Sequence, residues 1–233
     1  MTKIGIIQYP SSNCGYDTQK VLEEEIGVKA DLIWYKEKDK VFEYDGLVLP
    51  GGFSYGDYLR AGAIAAHAPI SKNIKRLAKE GKPILGICNG FQVLTELKLL
   101  PGALMTNKTP KFLCKHVNLR VESTDSFYTN KFEEGEVISL PIAHKEGNYY
   151  IREKNLFEIE KNNRIPFKYS GPDGEISSKT NPNGSTANIA ATFDKTKNVL
   201  GMMPHPERAS EEVLKNTDGK RILEGMVEEA QRT

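Results

Sequence analysis

The strongest constraint on the fold is an alternation, through the first half of the chain, of short apolar runs with segments of helical spacing. Lys3 to Gln8 (KIGIIQ) has the unbroken apolar character of a strand covered on both faces. Asp17 is placed to cap a short helix reaching about Ile26, with Leu22 and Ile26 on one face and Gly27 as its stop. Ala30 to Tyr35 and Gly46 to Leu49 read as the next two strands. Ile70, Ile74, Leu77 and Ala78 then recur at helical spacing before Gly81 and Pro83, and Pro83 to Ile87 forms the fourth strand. This order predicts an α/β fold with a mostly parallel central sheet flanked by helices.

The second half is less regular. Val117, Leu119 and Val121 alternate with polar residues, as in an antiparallel strand with one wet face, and an antiparallel or mixed extension of the central sheet is expected there. Asn181 to Ser185 (NPNGS) is a dense turn signal ahead of strands at Ala187 to Phe193 and Val199 to Met203. Ile222, Leu223, Met226, Val227 and Ala230 form the apolar stripe of a final helix, with Asp218 as its expected cap. No repeat, low-complexity tract or linker divides the 233 residues, so residues 1–233 are read as a single domain.

Charge excludes some classes of partner. Thirty-two basic and thirty-one acidic residues are mixed along the chain, which provides no net field for nucleic acid or a membrane surface and suits a small neutral or zwitterionic substrate. No segment approaches the roughly 20 apolar residues that cross a bilayer, and the N-terminus lacks a signal-peptide pattern, so a cytoplasmic location is expected. Cys14, Cys88 and Cys114 are odd in number and far apart, which is no disulfide framework. Cys114 and His116 have no second pair to complete a zinc site, and no metal is expected.

Chemistry concentrates where predicted strands end. Gly86-Ile87-Cys88-Asn89-Gly90 lies between the fourth strand and the helical pattern of Phe91, Val93, Leu94 and Leu97. A strand, sharp turn and helix in this order make a nucleophile elbow, in which the turn lifts the reactive side chain clear of the sheet and glycines two residues away permit close approach. A sulfur at a helix N-terminus also meets the positive end of the backbone dipole, which favours thiolate over thiol. The Asn89 N–H then faces the place where a tetrahedral oxyanion forms. Read alone, Cys88 is equally a small buried residue between packing glycines.

A partner for it follows the last predicted strand, in Met203-Pro204-His205-Pro206-Glu207. His205 and Glu207 are two apart, so an extended backbone, favoured by Pro206, sends both side chains to one side. Glu207 is then the orienter and His205 the base. His67, His116 and His144 are the weaker base candidates, with His144 second in line. Pro50 to Asp57 (PGGFSYGD) follows the third strand, and Gly52 is placed to supply a second oxyanion donor. Its glycines match neither phosphate-binding nor dinucleotide-binding spacing.

Taken in order, PGGFS, GICNGFQ and PHPE resemble the three motifs of the class I (triad) glutamine amidotransferases. The longer strings PGGFSYGDYLRAGAIAA, GICNGFQVLTEL, LPGAL, PIAHKEG, NPNGS and MMPHPERA are similar to the branch that forms the glutaminase subunits of phosphoribosylformylglycinamidine synthases in purine biosynthesis. The resemblance covers essentially the whole chain. It implies the flavodoxin-like fold of that family and hydrolysis of glutamine to glutamate and ammonia through a Cys88 thioester. Gly52, Phe53 and Gln92 are implied as residues that hold the substrate. The implied partners are a large synthetase subunit (PurL-like), which uses the ammonia and carries ATP and Mg, and a small bridging subunit (PurS-like). No cofactor is implied in this chain. Lys145 in PIAHKEG and Ala191 in NIAA replace glycines of the family pattern. The competing readings are a glutaminase for another synthetase, a cysteine peptidase of similar fold, which would carry histidine where this chain has Asn89, and a non-enzymatic binding subunit.

Overall fold

The computed structural model describes residues 2–232. Its strands are β1 (Lys3–Gln8), β2 (Lys29–Trp34), β3 (Gly46–Leu49), β4 (Ile84–Ile87), β5 (Ala103–Met105), β6 (Leu113–Val121), β7 (Val137–His144), β8 (Asn148–Tyr150), β9 (Phe167–Ser170), β10 (Ala191–Phe193) and β11 (Val199–Met202). The α-helices are α1 (Gly15–Lys20), α2 (Ser71–Lys79), α3 (Asn89–Glu96), α4 (Glu153–Lys161) and α5 (Lys220–Ala230).

A six-stranded sheet runs in the order β10-β11-β4-β3-β1-β2, parallel throughout except for β10 at one edge. The run β2-β1-β3-β4-β11 is the flavodoxin-like order, in which the chain reverses its direction of growth beside β1 and leaves a crevice at the carboxyl ends of the strands. The strands β3, β4 and β11 are buried at every position, as expected when helices cover both faces of a parallel sheet.

Helix α3 fixes the site most directly. It packs on β3, β4 and β11, and its Phe91, Val93 and Leu94 are fully buried, each contributing roughly 1.5–3 kcal/mol by removal from water. Its backbone rests on the sheet: a Cβ on Gly90 would lie 1.9 Å from the carbonyl oxygen of Leu49. Phe91 stacks on Tyr149 with ring centroids 5.7 Å apart, over Gly201, where a Cβ would come within 2.2 Å of the Phe91 ring.

The second half only partly extends this sheet. Strand β10 does so, but β6 pairs antiparallel with β7 and β9 in a separate three-stranded sheet, and β5 and β8 form a further pair. Four local expectations are corrected. Asp17 lies inside α1, whose preceding residue is Cys14, and the helix runs on into a π-turn at Val21–Glu25. Asp218 does not cap α5; its carboxylate accepts the Ser139 N–H at 2.8 Å and joins the helix to β7. The strand expected from Ala187 begins only at Ala191, because Ala187 and Asn188 take φ of 50° and 58° in a turn. The second strand is shifted by one residue, to Lys29–Trp34.

Candidate active site

Four loops at the carboxyl ends of β1, β3, β4 and β11 meet in one place. Cys88 directly follows β4 and precedes α3, with φ 49° and ψ −103°, a conformation that L-residues rarely take. Its N–H donates to Met202 O at 2.7 Å, so the turn is tied to the end of β11. The Cβ of an alanine at Gly86 would meet Leu94 at 2.4 Å and the Gly90 backbone at 2.8 Å, which is why the elbow needs its flanking glycines. The sulfur lies 3.6 Å from Ala143 O, and Cys88 opens onto a cavity of about 310 Å³. That is the small end of the ~300–1,000 Å³ range of small-molecule sites.

His205 and Glu207 are both sealed from solvent, and His205 Nδ1 donates to Glu207 Oε1 at 2.6 Å. The contact is not made by an extended strand as the sequence suggested. His205 is extended, but Pro206–Arg208 turns at once into a 3₁₀ segment, and this turn folds the carboxylate back onto the ring. Burial alone opposes charge on His205, yet the facing Glu207 carboxylate and the Cys88 and Cys14 sulfurs outweigh it and hold the imidazole well above its ordinary pKa. Its Nε2 has no hydrogen-bond partner among the described residues.

The other expected residues divide into two groups. Gly52, Phe53 and Gln92 line the cavity with Cys88. Gly52 has φ +143°, and an added Cβ would collide with Asn13 and Ser12, so only glycine fits this turn of the loop. The Phe53 N–H is committed to Ser11 O at 3.1 Å, and the Phe53 ring lies 6.3 Å from that of Phe112. Asn89 turns its side chain toward the loop: Oδ1 accepts the Ser54 N–H at 3.2 Å, and Nδ2 donates to Gln92 Oε1 at 2.9 Å and to Asp57 Oδ1 at 3.3 Å. Its backbone N–H, in the first turn of α3, has no acceptor within the helix. Gln92 donates to Glu146 O at 2.7 Å.

Sequence reasoning named His144 and Lys145 but did not place them at the site, where they form a wall of the cavity. Ala143, His144, Lys145 and Glu146, at and beyond the end of β7, line the same cavity as Gly52. The string PIAHKEG was the available signal, and it places Lys145 on the cavity wall. His144 is buried with Nδ1 3.1 Å from Asn107 Oδ1, and burial, with His205 nearby, lowers its pKa to about 4. Asp57 also faces the cavity, its pKa raised to about 6 by burial and by Glu146. His67 and His116 do not line the cavity, and Cys114 is exposed on β6. Ala191 is buried at the start of β10.

The fold and the elbow, with a buried histidine–carboxylate pair at its side, define a triad-type glutamine amidotransferase. Residues 1–231 match the family of the CobB/CobQ-like glutamine amidotransferase domain, and the chain belongs to that family. It is 53% identical over 226 residues to the phosphoribosylformylglycinamidine synthase subunit PurQ of Methanosarcina barkeri, covering 97% of each chain. It is 52% identical over 228 residues to the subunit of the same name from Pyrococcus horikoshii, covering 98% of each. A solved structure of PurLQS from Thermotoga maritima matches with a TM-score of 0.86 and 40% identity, over 97% of this chain and 98% of the other. A glutamine amidotransferase from Thermotoga maritima shares the fold at a TM-score of 0.55 and 17% identity, over 99% of this chain and 92% of the other. No helix among the described residues is long and apolar enough to cross a membrane.

Proposed function

We propose that this chain is the glutaminase subunit of a cytoplasmic phosphoribosylformylglycinamidine synthase, with residues 1–233 forming one glutaminase domain. Cys88 attacks the side-chain amide carbon of glutamine as the thiolate, and the tetrahedral intermediate collapses with loss of ammonia, to which His205 gives its proton. Water then attacks the thioester while His205 takes its proton, the carbon–sulfur bond breaks, and glutamate leaves. Glu207 holds the imidazole in the tautomer and orientation that both half-reactions need. The N–H groups of Asn89 and Gly52 are the donors for the oxyanion.

The observation that carries this reading is the solvent-sealed 2.6 Å contact between His205 and Glu207 beside the strained Cys88 elbow. The cavity supports the choice of substrate, since Asp57, Glu146 and Lys145 put both signs of charge on its wall, as a zwitterionic amino acid requires. Ammonia passes to a large PurL-like synthetase subunit that carries ATP and Mg, with a small PurS-like subunit bridging the two. Support for those partners is the likeness to the PurLQS structure and to the PurQ subunits along nearly the whole chain.

The test is turnover of glutamine to glutamate and ammonia by the chain assembled with both partners. Cys88→Ser is expected to abolish glutamine use and leave ammonia-dependent synthesis intact. Glutamine turnover retained by Cys88→Ser would remove Cys88 from its role.

A further inference from the structure

A second sulfur lies beside the triad. Cys14, at the carboxyl end of the β1 loop, is buried, and its Sγ lies within 4.8 Å of both a His205 ring nitrogen and a Glu207 carboxylate oxygen. Gly51 makes room for the pair, for a Cβ there would sit 2.7 Å from His205 Cε1 and 3.1 Å from Cys14 Sγ. The Cys14 N–H donates to Gly51 O at 3.2 Å, which ties this loop to the one after β3. Arg208 Nη2 donates to the sulfur at 3.2 Å, and Nε and Nη2 of the same guanidinium donate to Asp17 Oδ2 at 3.3 and 3.2 Å. A thiol donor remains for Asn13 Oδ1, 3.7 Å away. Three buried donors so close together also suit a metal ion, but the guanidinium on the sulfur and the hydrogen bond already joining His205 to Glu207 oppose a cation there.

Arg208 follows directly on Glu207, so a permanent positive charge is built in beside the base. Unrestrained, that charge would disfavour the imidazolium that the reaction forms. We infer that Cys14 is a positioning residue for the proposed reaction: its sulfur accepts from Arg208, holds that cation with Asp17 away from the His205 ring, and braces the ring against Gly51. The inference rests on the proposed roles of Cys88 and His205. The charged and titratable groups facing His205 are then Glu207 and Arg208 from its own segment, Cys14 with Asp17 behind it from the α1 side, Cys88 from the elbow, and His144 from β7.

The experiment uses Cys14→Ala and Cys14→Ser in a Cys114→Ser background, assembled with the partner subunits, and reads both glutamine turnover and the pH profile of Cys88 alkylation by iodoacetamide. Serine keeps an acceptor for Arg208 and alanine does not. Cys14→Ala is expected to lower kcat about tenfold with KM within about twofold, and to move the alkylation midpoint upward by about half a pH unit. Cys14→Ser is expected to recover most of both effects. Adding Arg208→Gln to Cys14→Ala should return the alkylation midpoint toward wild type, because the charge to be held off is gone. An unchanged midpoint in Cys14→Ala, or a shift that neither serine nor Arg208→Gln reverses, would overturn the inference. Absence of glutamine turnover in the unaltered complex would defeat the proposed function instead, and the alkylation profiles would still decide the role of Cys14.

Discussion

His205 Nδ1 lies 2.6 Å from Glu207 Oε1, and neither side chain has measurable contact with bulk water beyond a few per cent of its surface. A neutral amide at position 207 keeps the shape and loses the charge that favours imidazolium. Glu207→Gln is therefore expected to lower kcat for glutamine hydrolysis by about 10²–10⁴ with little change in KM, by analogy with orienting carboxylates of other triads. Steady-state kinetics of the assembled complex measure it; a loss below about threefold would mean that Glu207 does not orient the base.

The neighbouring His144 behaves oppositely. Burial, then His205, depresses its pKa from 6.5 to about 4, so the folded protein favours the neutral ring. A depressed folded-state value means stability that is fully present above pH 6.5 and lost as pH falls toward 4, where the unfolded chain binds a proton that the folded one refuses. Denaturant unfolding of the wild type and His144→Gln at pH 7 and pH 4 is expected to show an excess acid loss in the wild type on the order of 3 kcal/mol. Equal losses would place His144 in a wetter site than the structure gives it.

Strain at the elbow predicts an inverted substitution pattern. Glycine ordinarily costs roughly 0.5–1 kcal/mol relative to alanine in regular structure. At φ 49° and ψ −103° the order should reverse, and Cys88→Gly should be more stable than Cys88→Ala by about 1 kcal/mol or more. Equilibrium unfolding of the two inactive variants compares them directly, and a more stable alanine variant would remove the strain argument.

Gly52 gives the fourth prediction. Its φ is +143°, and a Cβ there would lie 2.8 Å from both Asn13 N and Ser12 Cα, which leaves no room for a side chain. Gly52→Ala should turn the local N–H and reduce kcat by about 10²–10³, the usual effect of losing one oxyanion donor. The same loop holds Tyr55, Gly56, Asp57, Leu59 and Gly62 at positive φ and exposes Tyr58 and Leu59, which suits a segment completed by contact with another subunit. The isolated chain is accordingly expected to hydrolyse glutamine more slowly than the complex, and equal rates would contradict this.

Much of this architecture is legible in the sequence alone. The parallel strands at Lys3, Gly46, Ile84 and Val199 announce themselves because both faces are buried and their apolar runs are unbroken. Cys88, His205 and Glu207 stand out as candidates because they follow strand ends, although the turn that joins His205 to Glu207 is not the extended segment their spacing suggested. What stays hidden depends on distant pairing. Asp17 and Asp218 look like caps because Asp is a good cap, yet their carboxylates serve Arg208 and Ser139. The place of the β7 wall in the cavity is set by the register of the β6–β7 ladder, which the string PIAHKEG does not fix by itself. Cys14 gives no signal because its partners, Gly51, His205 and Arg208, lie far from it in the chain.

The hydrogen bond from Cys88 N to Met202 O has one last consequence. Strands β4 and β11 are adjacent and in register, with Ile87 opposite Met202, so the residues that launch the elbow and the histidine segment ride on the same pair of strands. Sulfur and imidazole are thus both carried from the ends of one hydrogen-bonded pair of strands. A throttle acting through the glycine-rich span after β3 would present or withdraw its amide while that strand pair stays still.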